Sequence, residues 1–270
     1  MTIIAQTFLQ IKPKCALIPF IIAGAPNLNT TFNAIKILDN IGADIIEVGL
    51  PYSDPLADGP IIQEASAEAL KKGIEIEDIF NMFRELKNSI KSPIILFAYY
   101  NLILSYGIKH FIYKLKDIGI KGLLVPDLPI EESDLLFYYT SQANIEIILL
   151  VAPTSSNRRI KMISQKSQGF IYLVTSRGVT GIRSGFKNNI YDLVQSIKQI
   201  TTKPIAVGFG ISSADHVAQM MSWGVDGVII GSACVQILSD PKKTEAQTLC
   251  NLSYFIREIK LVTGLEPATN

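Results

Sequence analysis

The sequence predicts an α/β fold, a closed (β/α)8 barrel of the TIM type, with residues 1–270 in a single domain. About eight short apolar runs alternate along the chain with longer segments of helical period. The joints between a helix and the next strand repeat a glycine-containing pattern at 41–46, 118–123 and 223–228. A length of 270 residues fits one barrel of this class, which needs about 250.

An open, doubly wound parallel sheet is the alternative architecture. Such a sheet would place its ligand where the strand order reverses. The sequence shows no GxGxxG motif after its first apolar run and no change of composition that would mark a second domain. The number of βα units therefore favours the barrel.

Each predicted strand is a short, continuous apolar run. The runs are rich in Ile, Val, Leu or aromatic residues and are too short for helices, so each one predicts a strand that is buried on both faces. The predicted strands are Leu17–Ala23, Asp44–Val48, Pro93–Tyr99, Gly122–Val125, Ile145–Val151, Phe170–Val174, Pro204–Val207 and Gly227–Ile230.

The segments between these runs carry apolar residues at steps of three and four, which predicts helices. Several of them are followed by a glycine that is expected to end the helix, at Gly42, Gly73, Gly119 and Gly224. A short helix at Thr2–Gln10 is expected to cap the bottom of the barrel. The other predicted helices are Thr31–Asn40, Ile62–Lys72, Ile76–Ser89, Lys109–Ile118, Glu131–Gln142, Asn157–Gln165, Ile190–Gln199, Ser213–Trp223 and Glu245–Val262.

Composition and charge exclude several classes of protein. With 48% apolar and 18% charged residues and a mean hydropathy of +0.30, the chain is not predicted to be disordered. A net charge of +1 gives no basic surface for nucleic acid or anionic lipid. Three distant cysteines and two histidines argue against a disulfide framework and a metal site. The longest apolar stretches fall short of a membrane span, and no secretory signal is recognised.

Two acidic residues near the second predicted strand are the main candidates for acid–base chemistry. Glu47 closes an apolar strand and alternates with Ile45, so it is expected to point into the barrel. The following loop, Leu50–Pro60, contains three prolines and presents Asp54 and Asp58. Asp54 precedes a proline and is favoured as a turn residue, whereas Asp58 is expected to reach over the barrel mouth toward Glu47. Such a pair can divide proton donation and acceptance.

Neutral polar and aromatic residues lie at other strand ends. Tyr99 and Tyr172 are candidates for the lining of the site, although aromatic residues in strands are often only part of the core. Asp127 follows the fourth predicted strand and is equally well read as a residue that holds the loop there. These side chains would surround whatever enters the barrel mouth.

Glycine-rich segments after the sixth, seventh and eighth predicted strands indicate a phosphate site. They are Gly178–Gly181, Gly208–Ser213 and Gly231–Ala233. In this fold the last loops and the start of a short extra helix commonly bind phosphate through backbone N–H groups. Ser232 is expected at the start of that helix, where its hydroxyl adds a donor. Taken singly, each segment is also an ordinary turn or helix cap.

The residue types that are missing narrow the reaction. No predicted strand ends in a lysine, so a Schiff-base aldolase has no nucleophile. His110 and His216 fall on predicted helices and are expected at the surface or in packed positions. What remains is acid–base catalysis without metal or cofactor, on a small phosphorylated substrate.

These residues form motifs that resemble the tryptophan synthase alpha family. The segment Glu47–Pro60, read as EVGLPYSDPLADGP, is the long and specific part of the resemblance. Together the matching segments span nearly the whole chain. The others are Ile18–Gly24, Val125–Pro129, Tyr172 with Gly178–Gly181, Gly208–Ser213 and Gly231–Ser232.

The resemblance implies the retro-aldol cleavage of indole-3-glycerol phosphate to indole and glyceraldehyde 3-phosphate. By resemblance, Glu47 protonates the indole C3 atom and helps to take the glycerol hydroxyl proton, and Asp58 holds the indole N–H. A carboxylate there would also stabilise the cation that forms on the ring. The remaining implied binding residues are Phe20, Tyr99 and Tyr172 for indole, Gly181, Gly210, Gly231 and Ser232 for phosphate, and Thr180, which meets Asp58 when the loops close.

The resemblance also implies a partner, a beta subunit that binds pyridoxal phosphate and joins the indole to serine in an alpha2beta2 tetramer. Loops 51–60 and 178–189 are expected to close on substrate and to signal to it. The chain departs from the family at Ala25, where an aspartate is usual, and at Thr175, where a serine is common. Neither position carries a catalytic role in the resemblance.

Two other functions are weighed against this lyase. One is a non-catalytic activator that keeps only the surface for the beta subunit, and the other is a phosphate-binding isomerase of histidine or tryptophan biosynthesis. Intact Glu47 and Asp58 argue against the first, and an isomerase is expected to use a different acid–base pair. The expected location is the cytoplasm, or the plastid stroma if the gene is plastid-encoded.

Overall fold

The computed structural model describes residues 2–174, 184–208 and 210–264, and its centre is a closed barrel of parallel strands. The strands follow one another in chain order around the barrel, and the last pairs with the first. This confirms the predicted fold class, while the assignment of residues 1–270 to a single domain stays a prediction. The strands are β1 Ala16–Ile22, β2 Ile46–Gly49, β3 Ile94–Phe97, β4 Gly122–Leu124, β5 Glu146–Val151, β6 Ile171–Val174, β7 Ile205–Gly208 and β8 Gly227–Ile230.

Helices surround the barrel and connect its strands, with one short 3-10 helix at Ile130–Glu132. Within the described ranges the α-helices are α1 Ile3–Ile11, α2 Leu28–Ile41, α3 Pro60–Lys71, α4 Ile76–Leu86, α5 Tyr100–Tyr106, α6 Ile108–Asp117, α7 Asp134–Ala143, α8 Asn157–Lys166, α9 Ser184–Ile200, α10 Ala214–Ser222, α11 Ser232–Leu238 and α12 Glu245–Val262. The glycines predicted to end helices all have positive φ, from +74° to +87°.

Alternation along the strands separates an inner core from an outer one. On β1, Phe20 belongs to the cluster inside the barrel, and its neighbour Ile21 belongs to the layer between strands and helices. In the run that forms β2, Ile45 joins the inner cluster, while Ile46 and Val48 face the helices. Since side chains alternate along a strand, Glu47 points inward together with Ile45.

The first helix closes the bottom of the barrel, as predicted. Its Ile4 and Phe8 are fully buried in the inner cluster, and the Phe8 ring packs against Phe170 with 5.3 Å between ring centroids. Among the described residues, the end of the barrel where α1 packs is filled, so a ligand is expected at the opposite end, where the strands terminate. None of the helices that the structure describes is both long enough and apolar enough to cross a lipid bilayer.

Predicted and observed strands agree within two residues at every boundary, but the segment after β3 differs. The sequence analysis extends this strand to Tyr99, whereas β3 ends at Phe97 and α5 begins at Tyr100. The reason is a contact between distant residues: the Tyr100 backbone N–H donates to Asp127 Oδ1 at 2.8 Å, which caps the new helix. Helix α9 likewise begins at Ser184, six residues before the predicted start.

Candidate active site

Glu47 lies inside the upper part of the barrel, next to Phe20 of β1 and Ile95 of β3 in the strand register. It is 1% exposed, and neither carboxyl oxygen has a hydrogen-bond partner among the described residues. Burial raises the pKa of Glu47 to about 8, and the nearby charge of Asp58 adds to the rise. Near neutral pH this group is therefore a protonated acid, able to donate.

Asp58 is buried at the end of the loop that follows β2, and two elements hold it there. The Tyr99 hydroxyl donates to Asp58 Oδ2 at 2.9 Å and accepts from the Ala57 backbone N–H at 3.1 Å. From α3, Gln63 Nε2 donates to the carbonyl oxygens of Asp58 (3.0 Å) and Pro55 (3.3 Å). The carboxylate is thus fixed although it lies on a loop.

The buried phenol of Tyr172 on β6 lies close to both acids. Burial raises its pKa well above the usual value, and the charges of Glu47 and Asp58 raise it further. Its ring fits because residue 208 is a glycine: a Cβ atom on Gly208 would lie 2.6 Å from the Tyr172 hydroxyl oxygen. The structure therefore brings Glu47, Asp58 and Tyr172 together over one opening.

One cavity at the barrel mouth joins Asp58 to the glycine-rich end. Five residues predicted for the site line it: Phe20, Asp58, Tyr172, Gly231 and Ser232. Three that the sequence analysis did not name line it too: Ile62, Phe97 and Ile229. Phe97 could have been predicted from the sequence. It lies two residues after Ile95 and two before Tyr99, a spacing that places it on the inner face of the strand.

The glycine-rich end of the cavity is built by β8 and α11. Gly231 follows the strand directly, and Ser232 is the first residue of the helix. A Cβ atom on Gly231 would come within 3.2 Å of the Phe20 ring, so the glycine also leaves room for that ring. The first backbone N–H groups of a helix have no acceptor within the helix, and Gly231 and Ser232 at the start of α11 line the cavity, so this end suits an anion.

The other predicted positions are less closely tied to this cavity. Gly210 is exposed, has φ +77° and does not line it. Thr180 and Gly181 lie outside the described residues, as does Thr175. The described residues contain no group of three side chains that is suited to a metal ion.

Two other acidic residues considered in the sequence analysis, Asp54 and Asp127, stabilise local structure outside the cavity. Asp54 is exposed, and its carbonyl oxygen accepts from the Leu56 N–H at 2.9 Å, which fits the predicted turn. Asp127 caps α5 rather than facing the cavity. Neither residue contributes to the cavity described above.

Comparison with known proteins identifies the family. A model of the tryptophan synthase alpha chain family matches residues 7–263. The chain is 51% identical over 252 residues to the tryptophan synthase alpha chain of Synechocystis sp., covering 93% of this chain and 95% of that one. The corresponding chain of Pyropia yezoensis is 51% identical over 239 residues, covering 88% and 91%. The chain belongs to the tryptophan synthase alpha chain family.

Solved structures agree with this assignment. A crystal structure of the tryptophan synthase complex from Pyrococcus furiosus superimposes with a TM-score of 0.82 at 34% identity, covering 91% of this chain and 98% of the matched chain. The function is that of a tryptophan synthase alpha subunit, a lyase of tryptophan biosynthesis that cleaves indole-3-glycerol phosphate. The family carries out this cleavage without a cofactor.

Proposed function

We propose that Glu47 and Asp58 carry out the acid–base work of this cleavage and that the β8–α11 junction binds the substrate phosphate. The observation that supports this division is the cavity that joins Asp58 and Tyr172 to Gly231 and Ser232. Beside it lies Glu47, whose carboxyl oxygens have no hydrogen-bond partner in the part of the chain that the structure describes. A substrate with an aromatic ring at one end and a phosphate at the other matches this arrangement.

Glu47 acts first as the proton donor. Because burial keeps its carboxyl group protonated near neutral pH, it can transfer that proton to the indole C3 atom. The resulting carboxylate then takes the proton of the glycerol hydroxyl as the carbon–carbon bond breaks. Indole and an aldehyde leave, and Glu47 is protonated again, so the protons balance over one turnover.

Asp58 stabilises the charge that this protonation creates. A proton on C3 makes the indole ring cationic, and the ring N–H becomes a stronger donor. The carboxylate of Asp58, fixed by the Tyr99 hydroxyl, accepts from that N–H and offsets the positive charge. Since the bond to Tyr99 exists before substrate binds, little reorganisation is needed in the transition state.

The remaining residues bind the two ends of the substrate. Aromatic rings line the cavity at the proposed indole end, namely Phe20, Phe97 and Tyr172. Tyr99, also proposed for indole, does not line the cavity itself and packs against Phe97. Gly231 and Ser232 bind the phosphate through backbone N–H groups and a hydroxyl at the start of α11. Gly181 and Gly210 complete this proposed phosphate site, and Thr180 is proposed to meet Asp58 on closure.

A beta subunit is the proposed partner. The matched Pyrococcus furiosus structure is that of a tryptophan synthase complex, which supports an assembly with a second subunit. The alpha2beta2 composition and the pyridoxal phosphate of the beta subunit are what the family resemblance implies. The relatives come from a cyanobacterium and from the alga Pyropia yezoensis, among others, which supports a location in the cytoplasm or in the plastid stroma.

The direct test is to supply indole-3-glycerol phosphate to the purified chain and to measure indole and glyceraldehyde 3-phosphate. We expect both products in equal amounts, at a rate that rises when a beta subunit is added. Glycerol 3-phosphate should inhibit competitively, because it carries the phosphate end alone. Absence of indole with and without the beta subunit would contradict the proposal.

The phosphate site is tested by Ser232→Ala. We expect KM for the substrate and the inhibition constant of glycerol 3-phosphate to rise together by roughly three- to tenfold, with kcat nearly unchanged, since the bond is present in both ground and transition states. Ser239→Ala, at the other end of the same helix, is the matched control and should change neither constant. A fall in kcat alone would place Ser232 in the chemical step instead.

A further inference from the structure

The Asp58 carboxylate is bound by one phenol, that of Tyr99, in addition to the contact that Gln63 makes with the Asp58 backbone. Tyr99 contacts two successive residues of the loop, donating to the Asp58 carboxylate and accepting from the Ala57 N–H. Any tilt of the Tyr99 ring would therefore move the hydroxyl away from both groups. What fixes this ring also fixes the carboxylate that the proposed function assigns to the indole N–H.

The Tyr99 ring is held on two sides by other aromatic rings. Phe97 meets it edge to face, with 5.8 Å between centroids and 76° between planes. Tyr52 stacks on it, at 4.9 Å and 18°. Phe97 is buried on β3, whereas Tyr52 is only partly buried and lies on the loop itself. The stacked face is thus the one that the loop contributes.

Tyr52 is itself tethered to a different element. Its hydroxyl accepts from Asn101 Nδ2 at 3.2 Å. Asn101 is exposed in the first turn of α5, and that turn is anchored by the bond from the Tyr100 N–H to Asp127. A phenylalanine at position 52 would keep the stack and lose the tether.

We propose that Tyr52 is a positioning residue for Asp58 and acts through Tyr99, a role that rests on the proposed function of Asp58. The stack on Tyr99 and the bond to Asn101 hold the phenol at the angle at which it meets the carboxylate. These contacts do not hold Glu47, which has no hydrogen-bond partner among the described residues, and the proposed phosphate end lies on a different element, α11.

The test uses the full chain carrying Tyr52→Leu, Tyr52→Phe, Asn101→Ala or Tyr99→Phe. We expect Tyr52→Leu to lower kcat about tenfold, and Tyr52→Phe and Asn101→Ala to lower it about two- to threefold. The dissociation constant of glycerol 3-phosphate should stay within about twofold for all three, because the phosphate end is untouched. If Tyr52 had only a general packing role, its loss would change kcat and the dissociation constant of glycerol 3-phosphate together.

Non-additivity tests the route through Tyr99. Once Tyr99→Phe has removed the bond to Asp58, adding Tyr52→Leu should lower kcat by less than about twofold more. If the double variant shows the product of both single effects, Tyr52 acts independently of Tyr99 and the proposal is wrong. An unchanged kcat in Tyr52→Leu also contradicts it.

Controls separate this result from folding and from the proposed function. Tyr254→Leu removes an exposed tyrosine from α12 and should leave kcat and stability unchanged. If Tyr52→Leu does not fold, Tyr52→Phe and Asn101→Ala decide the matter, since they remove little packing and should not be additive with each other. A wild-type chain that releases no indole overturns the proposed function and this role with it, whereas an active wild type with unaffected variants overturns this role alone.

Discussion

Glu47 and Glu146 are both buried glutamates on barrel strands, and they lie at opposite ends of the barrel. Glu47 is 1% exposed near the end of β2, at the mouth. Glu146 is 3% exposed at the start of β5, at the bottom. Burial raises the pKa of both carboxyl groups. Their surroundings nevertheless make them different kinds of residue.

The difference lies in their partners. Glu146 Oε1 accepts from the Ile4 backbone N–H at 2.7 Å, at the start of α1, and further bonds from Thr2 and Ala5 oppose the rise in its pKa. Glu47 has no partner among the described residues, and the nearby charge of Asp58 raises its pKa further. The contrast is between one bound oxygen and none: Oε1 of Glu146 accepts from the start of a helix while its Oε2 has no partner among the described residues, and both oxygens of Glu47 lack one. Glu47, at the mouth, therefore keeps a proton that it can donate.

The largest expected difference between the two glutamates is in turnover. Glu47→Gln should lower kcat by about 10³- to 10⁴-fold, because the amide cannot supply a proton to the indole C3 atom. Glu146→Gln is the matched control at the bottom of the barrel and should keep kcat within about threefold. Indole release under saturating substrate measures both. Near-normal turnover in Glu47→Gln would rule out the proton transfer proposed for this residue.

A smaller, opposite effect is expected on the stability of the same variant. The folded pKa of Glu47, about 8, lies above the ordinary value of 4.5. Between these two values the folded chain keeps a proton that the unfolded chain has released. The contribution of Glu47 to stability therefore falls as pH rises through this window and levels off above about pH 8. Glu47→Gln has no carboxyl group at this position, so its stability does not fall in this pH window for this reason.

We therefore expect the free energy of unfolding of Glu47→Gln to exceed that of the wild type by roughly 3 to 5 kcal/mol at pH 9. Near pH 5 the difference should be much smaller. Urea unfolding at both pH values measures this. The comparison between the two chains cancels the groups that they share. A stability difference that does not change with pH would mean that Glu47 is ionised in the folded barrel.

Much of the fold could be predicted because fully buried parallel strands leave a direct mark in the sequence. Continuous apolar runs such as Phe170–Val174, too short for a typical helix, are what strands buried on both faces require. The inward direction of Glu47 followed from its spacing of two from Ile45. Helix α5 could not be found in this way, because its seven residues, YNLILSY, suit a strand equally well and its cap comes from Asp127, two elements further along the chain.

The candidate site was predictable where strand ends determine it and unpredictable where loops meet. Strand ends place Tyr172 and Gly231 at the mouth whatever the loops do. The contacts that fix Asp58, from Tyr99 and Gln63, depend on how the loop folds back across β3 and α3. Local sequence patterns do not predict such contacts between distant residues. The sequence analysis did not identify the contact of Tyr52 with Tyr99 for the same reason.

The smallest expected effect concerns the bottom of the barrel alone. Glu146→Ala removes the acceptor of the Ile4 N–H and leaves that group buried without a partner, which should lower the free energy of unfolding by about 1 to 3 kcal/mol. Helix α1 should loosen first, since its start is held by this carboxylate. Turnover should change little, because the cap lies at the closed end of the barrel.

Urea unfolding at pH 7 and hydrogen exchange of the first α1 amides measure this effect. Faster exchange at Ile4 than at the amides of β2 would show that the loosening is local. Glu146→Gln keeps an acceptor oxygen, so it should lose less stability than Glu146→Ala. If the alanine variant is as stable as the wild type, the Glu146 carboxylate does not hold the helix. The contrast between a capping glutamate and a reactive one would then lack an energetic basis.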